Sequence, residues 1–194
     1  MSWAHILSLS RVVAGPVIAA LILAPPGDNF LIAAIAFFVA SITDLLDGKL
    51  ARYSQQVSPL GVFLDTTSDK VLVSLVLVAL SVASLAPAWI PILIIGREFL
   101  ISGLRSFAAS YDRIISAHMW GKGKTALTMA GIILLLLAAN GRAGGFLSHI
   151  GSPTLWQHAV TVCVLILSAA ALLTIVSGIR YVVDAWPLLQ SHAD

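Results

Sequence analysis

Nine acidic residues occur in the 194-residue chain, and four of them, Asp44, Asp47, Asp65 and Asp69, fall inside two runs of otherwise apolar sequence. An unpaired carboxylate at the centre of a membrane-spanning helix costs about 2.5 kcal/mol or more, so four together need a common reason. Their spacing provides one. Asp44, Asp47, Gly48 and Ala51 stand at i, i+3, i+4 and i+7, and Gly61, Asp65 and Asp69 recur at every fourth residue. On helices each set shares one face. The link from Tyr53 to Gln56 is short, which makes the two helices antiparallel neighbours and lets the two faces oppose each other. The converging charges repel unless cations lie among them. A donor set of oxygen alone, without His or Cys, suits Mg2+, Mn2+ or Ca2+ and argues against zinc. Two divalent ions would neutralise the set, and such a pair can clamp the oxygens of a phosphoryl group during in-line displacement. Gly48 and Gly61 remove side chains beside the carboxylates, where a bulky ligand could reach the backbone. A single Asp in this setting is equally well explained by an ion pair with Lys49, Lys70 or Arg52; four at this spacing are not.

The elements that must carry these residues follow from composition. Hydrophobic residues make up 59% of the chain and charged residues 10%, against roughly 45–50% and about 25% in soluble domains. Disorder is excluded. Long unbroken apolar runs replace the ~10-residue alternating segments of a membrane β-barrel. At ~20 residues per span there is room for about six, and runs bounded by Pro, Gly and charge place them at 5–24, 30–53, 57–85, 88–112, 120–140 and 155–186. The fold class expected is all-α, a polytopic membrane protein with six transmembrane helices forming a single domain over residues 1–194. The first segment carries Arg11 inside its apolar run and lacks a small-residue cleavage site, so it reads as a retained span and not a signal peptide.

Arg11, Arg52, Arg113, Lys122, Lys124 and Arg180 group with the termini and the second and fourth connections, while the opposite loops hold only Arg142. By the positive-inside rule the termini and the carboxylate motif face the cytoplasm. At ~1.5 Å per residue, Asp44 lies roughly 12 Å along its helix from Arg52, which puts the cluster just beneath the cytoplasmic surface of a plasma or inner membrane. The formal charge of +2 and the lack of a basic run give no footprint for a nucleic acid. Cys163, alone in an apolar stretch, reads as a small buried hydrophobe. The tryptophans at 3, 89, 120, 156 and 186 fall near span ends, as in an aromatic belt.

Asp44-Leu-Leu-Asp47-Gly48-Lys-Leu-Ala51-Arg52, then eight residues, Gly61, three residues, Asp65, three residues and Asp69, resembles the signature of the CDP-alcohol phosphatidyltransferases at eight fixed positions. Thr66-Thr67-Ser68 stands where many relatives have Pro-Ile-Ala. The resemblance implies an enzyme that binds a CDP-linked lipid, holds its diphosphate with two divalent cations, Mg2+ or Mn2+, and lets an alcohol attack the lipid-side phosphorus with release of CMP. It implies Asp44, Asp47, Asp65 and Asp69 as metal ligands, with Asp69 also the general base on the acceptor hydroxyl. Gly48, Ala51 and Gly61 would admit the cytidine and Arg52 would help hold phosphate. A homodimer is implied by the same resemblance.

The acceptor is chosen elsewhere. Gly96-Arg97-Glu98-Phe99 through Gly103-Leu104-Arg105 places three charges in the fourth span, and His118-Met-Trp-Gly121-Lys122-Gly-Lys124-Thr125 follows. Arg97, Arg105, Lys122 and Lys124 could form an anion pocket, since Arg grips phosphate bidentately and Lys acts as a point charge. Lys122 and Lys124 also read as cytoplasmic anchors, and Arg97 with Glu98 as a structural pair. Residues 97–109 and 121–125, with Ser177-Gly178 and Tyr181, are similar to those members of the family that use glycerol 3-phosphate, although Thr128 stands where relatives often have Gln. The expected reaction joins CDP-diacylglycerol to glycerol 3-phosphate, giving phosphatidylglycerophosphate and CMP. Inositol phosphate, serine or phosphatidylglycerol are alternative acceptors. A divalent-cation transporter is a further alternative, but a transport site would sit near the midplane on interrupted helices with internal repeats, and neither is visible.

Overall fold

The computed structural model describes the backbone of residues 3–53, 59–110 and 120–190, and within these the side chains of residues 9–43, 67–109 and 123–184. Among the described residues there are six α-helices and no strand: α1 (Trp3–Leu23), α2 (Asp28–Tyr53), α3 (Pro59–Val82), α4 (Trp89–Ser110), α5 (Trp120–Arg142) and α6 (Pro153–Gln190), with a short 3₁₀ turn at Phe146–His149. Helix ends follow local chemistry. Pro59 and Pro153 occupy first helical positions, where a missing N–H costs nothing. Ser152 caps α6 by accepting from the backbone N–H of Leu155 at 3.3 Å.

The third helix stops earlier than its apolar run. Ser84 adopts φ 57°, Leu85 N–H donates to Leu80 C=O at 2.9 Å and Ser84 N–H to Ser81 C=O at 3.0 Å. This is a Schellman ending with a serine in the left-handed position, and Leu85 folds back into the core at 4% exposure. The same ending closes α5 through Gly144 (φ 79°) and the bond from Gly145 N–H to Asn140 C=O. Thr66, Thr67 and Ser68 leave α3 uninterrupted.

Each helix packs on two others, closing a ring in the order α1, α2, α5, α6, α4, α3. The sequence reading made α2 and α3 direct neighbours through faces whose side chains, apart from that of Asp69, lie outside the described residues; among the described residues both pack extensively on α1. Arg11, Gly15, Ile18 and Ile22 form one stripe of α1 with its spacing of three and four residues, and a Cβ on Gly15 would touch Leu75 and Leu72 of α3. Arg11, grouped by sequence with the basic residues of the cytoplasmic side, lies within this stripe at 1% exposure.

The apolar core gathers at one end of the ring, from Ile18, Phe37, Leu77, Ile90, Leu136, Leu167 and their neighbours. Cys163 is buried and free there, as expected. A polar clasp closes that end. Asn140, fully buried, donates through Nδ2 to Gly27 C=O at 3.0 Å and to Asp28 Oδ1 at 3.2 Å. Its Oδ1 accepts from Leu147 N–H at 2.9 Å, and Asp28 Oδ1 accepts from Phe146 N–H at 2.6 Å. Gly145 is required by this contact, since a Cβ would sit 2.0 Å from Asn140 Nδ2. The Phe146 N–H, followed by the Asn140 amide, holds the Asp28 carboxyl below its ordinary value of 3.8.

The outer surface is apolar. Val13 and Val17 of α1, Ile32, Ile35 and Phe38 of α2, and Ile92 and Phe99 of α4 all face outward, more exposed apolar side chain than a water-facing surface carries. Among the described residues two helical stretches, Gly123–Arg142 and Pro153–Asp184, are long and apolar enough to cross a membrane. Only 33% of the α6 window is buried, so α6 is not the wrapped core helix of a soluble domain. These are the features of a membrane protein. Hydroxyls within the helices are satisfied locally: Ser41, Thr128 and Thr174 each donate to the carbonyl four residues back.

Candidate active site

The helical backbone required by the carboxylate spacing is present throughout. Asp44, Asp47, Gly48, Ala51 and Arg52 lie in the C-terminal half of α2, and Gly61, Asp65 and Asp69 in the N-terminal half of α3. The side chains of all of these except Asp69 lie outside the described residues, as does that of Lys122. Among the described residues no three potential metal ligands gather; three of the four expected carboxylates belong to the undescribed set. The donor chemistry of the four, oxygen only and on two helices that share α1 as a neighbour, fits hard divalent cations.

Asp69 opens onto a cavity of about 60 Å3 at the end of the ring opposite the clasp, lined also by Lys70 of α3, Glu98 of α4, Lys124 and Thr128 of α5, and Thr174 of α6. The ring brings these together although they come from four helices. Lys124 is 7% exposed and its ammonium donates to Glu98 Oε1. Arg97 Nη1 donates to the same Glu98 oxygen at 3.0 Å. Arg97 Nη2 donates to Ser177 Oγ at 3.3 Å, and its stem lies against Gly178, where a Cβ would meet Arg97 Cγ at 3.0 Å. Arg97 Nε is buried and has no hydrogen-bond partner among the described residues. Lys70 Nζ donates to Ser102 Oγ, which in turn donates to Glu98 C=O at 2.7 Å, tying α3 to α4.

Two of the expected acceptor cations, Lys124 in the cavity wall and Arg97 behind it, are therefore held around one carboxylate, Glu98, that lines the cavity. Arg105 lies apart from the cavity lining, its guanidinium carbon 5.4 Å from the centre of the Tyr181 ring, a cation–π contact. Tyr181 is 4% exposed with its hydroxyl unpartnered among the described residues. Sequence reasoning treated Glu98 only as a neighbour of Arg97 and did not find Thr174 or the Lys70–Ser102 link. The sole signal for Thr174 was a hydroxyl in an apolar helix.

The chain belongs to the CDP-alcohol phosphatidyltransferase family, whose sequence pattern it matches over residues 1–176. It is similar to proteins named CDP-diacylglycerol–glycerol-3-phosphate 3-phosphatidyltransferase from several bacteria. That of Bacillus subtilis (strain 168) is 39% identical over 68% of this chain and 74% of the relative. That of Rickettsia bellii (strain RML369-C) is 34% identical over 90% of both chains. That of Pseudomonas fluorescens is 30% identical over 98% of this chain and 93% of the relative.

Proposed function

We propose that the protein transfers the phosphatidyl group of CDP-diacylglycerol to glycerol 3-phosphate, giving phosphatidylglycerophosphate and CMP in phospholipid biosynthesis. The observation that carries this reading is the cavity that joins Asp69 to Lys124 and to Glu98, which Arg97 pairs from behind the wall, together with the names of the relatives that span most of the chain. Glycerol 3-phosphate has two ends, a hydroxyl to be deprotonated and a phosphate to be held. The cavity offers a carboxylate for one and cations for the other.

In this reading Asp69 takes the acceptor's hydroxyl proton. The resulting oxygen attacks the diacylglycerol-side phosphorus, a new P–O bond forms, and the bond to CMP breaks with its electron pair leaving on CMP. Asp44, Asp47, Asp65 and Asp69 would hold two divalent cations, Mg2+ or Mn2+, whose positive charge offsets that of the diphosphate. Gly48, Ala51 and Gly61 leave room for the cytidine and Arg52 grips phosphate. Arg97 and Lys124 orient the acceptor's phosphate, with Lys122 and Arg105 completing the basic surround.

The apolar outer faces of α1, α2 and α4, beside the two long apolar helices, support six membrane spans in a single domain. The distribution of basic residues supports termini and site on the cytoplasmic side of the plasma or inner membrane. The family resemblance supports a homodimer, which the mass of the detergent-solubilised protein tests. The function is tested by incubating purified protein with CDP-diacylglycerol, Mn2+ and glycerol 3-phosphate in mixed micelles and identifying the lipid product by mass spectrometry. Phosphatidylglycerophosphate is expected; a different phospholipid, or none, refutes the assignment.

A further inference from the structure

Glu98 differs from the two cations it joins. Lys124 is 7% exposed and Arg97 14%, whereas Glu98 is 33% exposed at the cavity wall. Arg97 is fixed from outside the pair, by Ser177 and by the close passage of its stem over Gly178. Arg97 is thus held independently of Glu98 and Lys124 is the more deeply buried cation, so the more exposed carboxylate is the part best placed to swing aside. Both cations converge on a single oxygen, Oε1, and Arg97 keeps one buried donor, Nε, without an acceptor among the described residues. Among the described residues the carboxylate thus uses one of its oxygens for two cations and leaves Arg97 Nε unserved.

We propose that Glu98 is an internal stand-in for the acceptor's phosphate and thereby a specificity determinant. This rests on the reading above that the acceptor carries a phosphate. A phosphate monoester brings a charge of about −1.5 to −2 and three acceptor oxygens, enough to bind both cations and Arg97 Nε at once, where the carboxylate brings one charge. It displaces Glu98 toward the open side of the cavity. A neutral polyol or a zwitterionic amino acid offers too little negative charge to separate Glu98 from Lys124 and Arg97, so the ion pair stays closed against it. Glu98 therefore costs the phosphorylated acceptor some affinity and excludes the others.

Glu98→Gln keeps the volume and removes the competing charge. The KM for glycerol 3-phosphate is expected to fall about three- to tenfold, the size of releasing one hydrogen-bonded partner. Inorganic phosphate, measured by calorimetry on the whole protein in detergent, is expected to bind more tightly by a similar factor. Glu98→Asp, one methylene shorter, should shift both in the same direction by less, and it keeps the test alive if the Gln variant does not fold. A raised KM with weakened phosphate binding would show that Glu98 holds the cations in position and would overturn the proposal, as would no change in either quantity. Phosphate binding needs no turnover, so the readings fail separately. Tighter phosphate binding by the variant, in a protein that releases no CMP with glycerol 3-phosphate, would sink the proposed function and leave the stand-in standing.

Discussion

Lys124→Met tests whether the buried ammonium serves substrate or merely balances Glu98. Methionine keeps an unbranched apolar stem as far as Cε, so the wall shared with Val73, Leu77 and Met129 stays filled and the terminal ammonium is lost. Glu98 keeps Arg97 as a partner at 3.0 Å, which limits the structural cost. A hydrogen bond to a charged group contributes about 1.5–3 kcal/mol, or ~10- to ~100-fold in binding. Lys124 already has a partner in Glu98 before substrate arrives, so binding exchanges one anion for another and the lower end of that range applies. The KM for glycerol 3-phosphate should rise about tenfold. The KM for CDP-diacylglycerol should stay as in the wild type, since the carboxylate motif lies on α2 and α3 and Lys124 on α5. Steady-state CMP release in mixed micelles, with each substrate varied in turn, reads both constants. A lowered melting temperature with an unchanged KM for glycerol 3-phosphate would refute the reasoning and leave Lys124 a structural counter-ion.

Asp69→Asn should lower kcat by about a hundredfold or more, the usual contribution of a general base, while circular dichroism shows the helices retained; activity near wild type would remove Asp69 from that role. Asn140→Leu strips the clasp of its central amide and leaves Gly27 C=O and Leu147 N–H without their partner, so thermal unfolding in detergent should shift down by several degrees; an unchanged transition would show the clasp to be dispensable. Asp28 gives a pH test. Its carboxyl holds a proton less tightly folded than unfolded, so its contribution is fully present above the ordinary value of 3.8 and is lost as pH falls through the lower folded value. Asp28→Asn should therefore weaken the protein at neutral pH and flatten the acid limb below about pH 4; superimposable acid-unfolding curves would contradict this.

The helices were legible because apolar runs end at Pro, Gly and charge, and those signals are local. The expected span at 120–140 and the observed α5, ending at Arg142, differ by a fraction of a turn. Where local signals mislead, the reason is also local. Ser84 takes the left-handed position usually given to glycine, so the run to residue 85 read as one helix. The clasp was illegible because its partners are 112 residues apart in sequence; Asp28 lies just before the expected span at 30–53 and Asn140 at the end of the one at 120–140, with nothing local to pair them. The extensive packing of α2 and α3 on α1 is a property of the closed ring that the short link between them does not encode.

At the site, Asp69 was found from its spacing and does line a cavity. Arg97 and Lys124 were found as basic residues in a basic region. What they share was not: Glu98 follows Arg97 by one position and lies 26 positions before Lys124, and helical neighbours point about 100° apart, so periodicity gives no hint that Arg97 and Lys124 both reach Glu98. Only the closing of α4 onto α6 and α5 onto α6 brings the charges to one place.

The central claim is that this cavity presents one molecule's hydroxyl to Asp69 while its phosphate is held by Arg97 and Lys124. The most direct measurement is the rate of CMP release from CDP-diacylglycerol by the purified protein with Mn2+, compared between glycerol 3-phosphate and glycerol, which share the hydroxyl and differ in the phosphate. The account predicts rapid release with glycerol 3-phosphate and, with glycerol, release at the rate seen in water alone. Equal rates with the two acceptors would contradict it.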